Sequence, residues 1–194
     1  MKIIRHRINN PADVIRNDLV EIDVRDHDGR PCVSHDTIHG YANLILDIKY
    51  YLNVIEKQNV TLLAVNIKSD GLEKEILEAL DNSGIDYFLF DMSKPSYHTY
   101  QQLTNKIALP VSEYDSIADL GHYKMTNWIW LDCFNSNVEA QAKQYNKIRS
   151  LHPDINIVFV APDLHGKSEL NSKLLVGQED KHLYICTDFP EDFE

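Results

Sequence analysis

A chain of 194 residues is long enough to bury a sizeable core and short for more than one domain. With 43% hydrophobic and 25% charged residues it has the make-up of an ordinary globular protein, which excludes a disordered or fibrous one. The formal net charge of −11 argues against a nucleic-acid binder, which needs a basic face, and against adsorption to an anionic membrane surface.

The opening segment, MKIIRHRINN, carries basic residues but no apolar stretch of signal-peptide length. Residues 2–7 form the first strand candidate, ending in His6 and Arg7. The second, residues 19–25, places Glu21 and Asp23 two apart. After it, Asp28-Gly29 signals a turn, and Cys32-Val33 a short extended return to His35. Residues 41–57 then read as a helix, with Ile45, Ile48, Leu52 and Ile55 on one face. Further strand candidates are 60–68, 86–91, 107–114, 127–134, 155–161 and 182–187, each rich in β-branched or aromatic residues. Helix candidates at 71–80, 97–106, 137–151 and 168–175 separate them, with room for only a turn or two at 114–120. Strands alternating with helices imply parallel pairing and right-handed crossovers. About eight strands in this rhythm predict an α/β fold, a compact (β/α)8 TIM barrel with shortened or missing helices, as a single domain over residues 1–194. No window reaches the roughly 20 apolar residues that span a bilayer, so membrane insertion is not expected.

The three cysteines, Cys32, Cys133 and Cys186, are odd in number and set in apolar runs. They are expected as buried free thiols, which suits a cytoplasmic protein.

In a barrel, catalytic groups gather at the C-terminal ends of the strands. The apolar runs here end near His6 and Arg7, Glu21 and Asp23, Asn66 and Lys68, Asp91, Glu113, Asp132, Asp163 and Asp188. The most informative block is EIDVRDHDGRPCVSHD, residues 21–36. Two-residue spacing on a strand points both carboxylates to one face, about 6.5 Å apart at the backbone, so they can converge on one hard cation. Ile22 and Val24 face the other way, and the hairpin return brings His35 back toward the carboxylates.

HR at 6–7, ExD at 21–23, DG at 28–29, HD at 35–36 and a strand ending in NIK at 66–68 together resemble the glycerophosphodiester phosphodiesterases. YICTDFP at 184–190 is similar to that family's last strand, and FDMS, SEYD and PDLHGK resemble a short bacterial subgroup. The resemblance implies a barrel shared with phosphatidylinositol-specific phospholipase C. It implies that Glu21, Asp23 and, in the third position, Asn66 bind a divalent cation, Mg²⁺ or Ca²⁺. His6 and His35 become general base and general acid, and Arg7 and Lys68 neutralise the phosphate as charge develops. His165, in a loop where a barrel often holds phosphate, is a further candidate for the substrate phosphate. The partner implied is a small-molecule phosphodiester, attacked by its own neighbouring hydroxyl to give a cyclic phosphate.

Two departures bear on this reading. Asn66 stands where the family places a third carboxylate, which removes one negative charge from the site. The chain also reads HRINNPADV, without the family's Gly after His-Arg or its downstream Glu-Asn pair. They motivate an alternative: a catalytically degenerate barrel that binds a phosphorylated ligand or partner without turnover. His27, His39, His98, His122, His152 and His182 show no ligand spacing, and Trp128 and Trp130 are expected to fill the core.

Overall fold

A computed structural model of the chain describes residues 1–38, 45–115, 126–135, 138–173 and 179–193. The chain divides into two units, one formed by residues 6–105 and one by residues 1–5 with 106–194.

The second of these contains β1 (Lys2–Arg5), β6 (Ala108–Val111), β7 (Trp128–Leu131), β8 (Asn156–Val160) and β9 (Leu183–Thr187). They lie in the order β1-β9-β8-β7-β6, every neighbouring pair parallel. Ile129, Leu131, Ile157, Phe159 and Ile185 are buried, as expected where both faces of a parallel sheet are covered. Trp128 is also buried, 4.8 Å from Tyr184 between ring centroids, the packing role expected of it. A helix of this unit, Val138–Leu151, sends buried Gln141 to the strand ends: its amide donates to the Leu131 and Val160 carbonyls at 3.1 and 2.9 Å. Two buried acceptors are thereby satisfied at the ends of β7 and β8. The run expected as a helix at 168–175 forms a 3-10 segment, Ser168–Lys173, and most of the expected turn at 114–120 lies outside the described residues.

The unit of residues 6–105 holds β2 (Leu19–His27), β3 (Arg30–Val33), β4 (Leu62–Ile67) and β5 (Asp86–Phe90). β2, β4 and β5 run parallel, with Asp23 in register with Asn66. All six residues of β4 are buried. β3 pairs antiparallel with β2 through a two-residue turn, Asp28-Gly29, both with positive φ (51° and 75°). That turn twists in the same sense as the strands it joins, so the extended return read from the sequence closes as a hairpin.

Three α-helices follow among the described residues of this unit. α1 (Ile48–Glu56) buries Ile48, Tyr51, Leu52 and Ile55 at helical spacing. It starts later than the apolar pattern suggested, because the Asp47 carboxylate accepts from the Lys49 and Tyr50 N–H groups and fixes the first turn there; residues 41–44 of the expected helix lie outside the described residues. α2 (Glu73–Asp81) buries Ile76, Leu77, Ala79 and Leu80. α3 (Lys94–Leu103) starts earlier than expected, since Ser93 caps it and Pro95 sits in the first turn, where a missing N–H costs nothing. Each fully buried aliphatic or aromatic side chain contributes about 1.5–3 kcal/mol, and these helix faces supply much of the unit's core.

Among the described residues, five parallel strands in one unit and three in the other, joined mainly by helices, 3-10 turns and loops, are those of the (β/α)8 barrel class of α/β fold, with some helices short. No helix among the described residues is long and apolar enough to cross a membrane. Cys32, Cys133 and Cys186 are buried free thiols.

Candidate active site

Glu21 and Asp23 sit on β2 with Ile22 between them, and each is only 1% exposed. Two adjacent buried carboxylates are costly unless something meets them. The segment just after β1 does so. The Arg7 backbone N–H donates to Glu21 Oε2 at 2.7 Å, made possible by a left-handed backbone at Arg7 (φ 52°). His6 Nε2 lies 3.9 Å from the same oxygen, and Arg7 Nε 3.8 Å from Asp23 Oδ2. Asn9 engages Asp23 twice: its Nδ2 donates to Oδ2 and its Oδ1 accepts from the Asp23 N–H, both at 2.8 Å. Tyr51 Oη donates to the Ile8 carbonyl at 2.5 Å, tying this loop to α1.

From the β4 side come Asn66 and Lys68. The register pairs Asn66 with Asp23, so their side chains leave the sheet on one face. Asn66 Oδ1 is buried and accepts no hydrogen bond from the described residues. Lys68, held through its N–H to the Val24 carbonyl at 2.9 Å, places Nζ 3.5 Å from Asp23 Oδ1 and 3.4 Å from Asp91 Oδ2. Asp91, just past β5, also adopts a left-handed backbone (φ 61°).

The electrostatics follow from burial. Loss of water and the neighbouring Asp23 charge push the Glu21 carboxyl up from 4.5 to about 7. His6, the Arg7 N–H and Lys68 oppose this without cancelling it.

Among the described residues no group of three His, Cys, Asp or Glu side chains is placed to hold a metal ion. The third donor on this face is an amide. A buried amide oxygen with no donor, beside two buried carboxylates, is a set of hard oxygen ligands that fits Mg²⁺ or Ca²⁺.

His35 follows the β3 hairpin. The Ser34 N–H donates to the Asp23 carbonyl at 3.0 Å, and the His35 carbonyl accepts from Arg25 Nε at 2.7 Å. The ring itself pairs with Asp36, Nδ1 to Oδ1 at 2.8 Å, which holds the exposed Asp36 carboxyl below its ordinary range. Thus His6, Arg7, Glu21, Asp23, Asn66 and Lys68 form one connected cluster, while His35 joins through its backbone neighbours and its ring turns to Asp36.

His165 belongs to the other unit. Its Nε2 lies 2.7 Å from Asp132 Oδ1, and its ring packs 5.2 Å from that of Phe134. Of the other candidate carboxylates in that unit, Glu113 accepts from the Phe134 and Asn135 N–H groups, and Asp163 from the Thr187 hydroxyl and the Asp188 N–H. His39 and His122 lie outside the described residues.

Sequence reasoning missed Asn9 and Tyr51, and gave Asp36 of the HD motif no role. Asn9 and Asp36 lie in irregular segments, where no period fixes the direction of a side chain. Tyr51 sits on the apolar stripe of α1, and only its hydroxyl reaches the loop.

A (β/α)8 fold with acidic, amide and basic groups at strand ends defines a broad class of barrels. Within it, this chain is similar in fold to the crystal structure of a glycerophosphodiester phosphodiesterase from Parabacteroides distasonis, with a TM-score of 0.68 and 15% identity over 99% of this chain and 94% of that one. No protein-family model matches the sequence, and no curated protein sequence matches it.

Proposed function

We propose that this chain is a metal-dependent phosphodiester hydrolase acting on glycerophosphodiesters or a related polyol phosphodiester. The observation that carries the reading is the oxygen face of Glu21, Asp23 and Asn66, with the Asn66 amide oxygen buried and lacking a donor. The likeness in fold to a glycerophosphodiester phosphodiesterase supports it.

Glu21, Asp23 and Asn66 would hold a divalent cation, which supplies Lewis-acid stabilisation of the phosphate and lowers the pKa of the attacking hydroxyl. Arg7 and Lys68 bring positive charge to the non-bridging oxygens, an attraction that a chain of net charge −11 must provide locally. Lys68 Nζ already lies between Asp23 and Asp91 at distances above 3.3 Å, so it can shift to a phosphate oxygen at little cost. His6 takes the proton of the substrate hydroxyl next to the phosphoester, and that oxygen forms the new bond to phosphorus. The leaving alcohol accepts a proton from His35, and a cyclic phosphate results, which water can open. With Nδ1 of His35 engaged by Asp36, Nε2 is the nitrogen available for that transfer.

The test is an assay of the purified protein on a panel of phosphodiesters, with and without Mg²⁺, Ca²⁺ and Mn²⁺; cation-dependent release of the alcohol is expected. No turnover on any of them would leave a binding module. With only two carboxylates, cation affinity is expected to be modest, and Asn66→Glu to tighten it in titration calorimetry. An unchanged affinity would remove Asn66 from the ligand set.

A further inference from the structure

We infer that Asn9 is a positioning residue of the cation site, one that fixes Asp23 as a ligand through its Oδ1 oxygen alone. The inference rests on the proposed metal-dependent reading and deepens it.

Asp23 occupies a difficult place on β2. The antiparallel ladder with β3 ends at the pair Val24 and Val33, and on that edge Ile8 donates to the Glu21 carbonyl at 2.8 Å. The Asp23 N–H falls between these two stretches of pairing and would be buried without a backbone acceptor. Asn9 Oδ1 supplies one at 2.8 Å. The other end of the same amide donates to Asp23 Oδ2 at 2.8 Å. One side chain therefore holds both the main chain and the carboxylate of a single residue. Two such bonds close a ring, and rotation of the carboxylate about its last bond is blocked.

The chemistry of an amide suits this position. A lysine or arginine donating to Oδ2 at bonding distance would neutralise the carboxylate; an amide occupies the oxygen and leaves the negative charge in place. Arg7 Nε stands further off, at 3.8 Å. With Oδ2 committed to Asn9, the oxygen left for a cation is Oδ1, where Lys68 Nζ stands at 3.5 Å, too far for a good hydrogen bond. Asn66, in register with Asp23, lies on the same face. The loop that carries Asn9 is itself anchored, by the Arg7 N–H on Glu21 and by Tyr51 on the Ile8 carbonyl. In the motif HRIN, the asparagine three residues after His6 thus holds the second carboxylate of the ExD pair.

Rigid presentation matters more for one cation than for the other. Mg²⁺ requires near-ideal octahedral geometry at short distance, whereas Ca²⁺ accepts six to eight ligands in looser arrangements. Outer-shell partners of metal ligands typically change affinity by about 10–100-fold when removed. Titration calorimetry with Mg²⁺ and with Ca²⁺ is therefore run on the wild type, on Asn9→Ala and on Gln141→Leu, a control that destabilises the other unit by removing two buried hydrogen bonds. The expected result is a loss of about 10–100-fold in Mg²⁺ affinity for Asn9→Ala, a smaller loss for Ca²⁺, and no change in either for Gln141→Leu. A purely structural role for Asn9 would leave the ratio of the two dissociation constants unmoved, and that outcome overturns the inference while the metal-dependent reading stands. Wild-type protein that binds neither cation overturns both.

Discussion

Replacing His6 or His35 by alanine is expected to cut cation-dependent turnover by about 10²–10⁴-fold, the usual weight of a general acid or base. The double variant should lose far less than the product of the two single losses, because groups that act on one proton path are not additive. Cation affinity should survive in both single variants, since neither ring is a proposed ligand. His6 is the more constrained of the two, with its Nε2 3.9 Å from Glu21 Oε2. His35 turns toward Asp36, so Asp36→Asn should reproduce part of the His35 loss by freeing the ring. Steady-state kinetics on the four variants decides the matter; turnover indifferent to His35→Ala would reassign the acid.

Glu21 gives the second large effect, this time on stability. Its carboxyl is pushed up to about 7 in the folded protein from 4.5, so the folded state holds that proton more tightly than the unfolded chain does. The favourable contribution is complete below about pH 4.5 and is lost as pH rises through about 7, a swing of about 3 kcal/mol from this one group. In EDTA, Glu21→Gln is expected to match the wild type near pH 4.5 and to exceed its stability at pH 8 by up to that amount. Urea unfolding at the two pH values measures the difference. A difference that does not grow with pH would mean that the carboxylate is not desolvated. Adding Mg²⁺ or Ca²⁺ should narrow the gap at pH 8, because the cation replaces the missing proton only in the wild type.

The parts of this molecule written in regular periods could be read from its sequence. Seven of the parallel strands described lie within the expected apolar runs, β2 continues two residues past its run to His27, and the alternation of Glu21, Ile22, Asp23 and Val24 puts both carboxylates on one face. Asn66, two residues before Lys68, is singled out as a ligand only by the family resemblance, and the register of β4 with β2 sets it beside Asp23. Helix starts were less legible, since they depend on single capping side chains: Asp47 stops the apolar stripe of α1 short, and Ser93 begins α3 ahead of its first tyrosine. Least legible were the partners in loops. Nothing in HRINN says that Asn9 reaches back across 14 residues to Asp23, because no repeat fixes side-chain direction there. The sequence marks Lys68 as a catalytic and phosphate-binding candidate, while its pairing with Asp91 depends on a left-handed turn that an aspartate tolerates but does not announce.

The left-handed backbone at Arg7 also sets a limit on how this protein could be made sturdier. A non-glycine residue in that region carries strain of order 1–3 kcal/mol, and glycine would relieve it. The residue that bears the strain is also the one whose N–H steadies Glu21 and whose guanidinium stands beside Asp23. Glycine at position 7 would keep the first contribution and erase the second. If Arg7 binds phosphate as proposed, selection for thermal robustness and selection for substrate recognition pull in opposite directions at this one position, a trade-off common where a functional side chain sits on a strained turn.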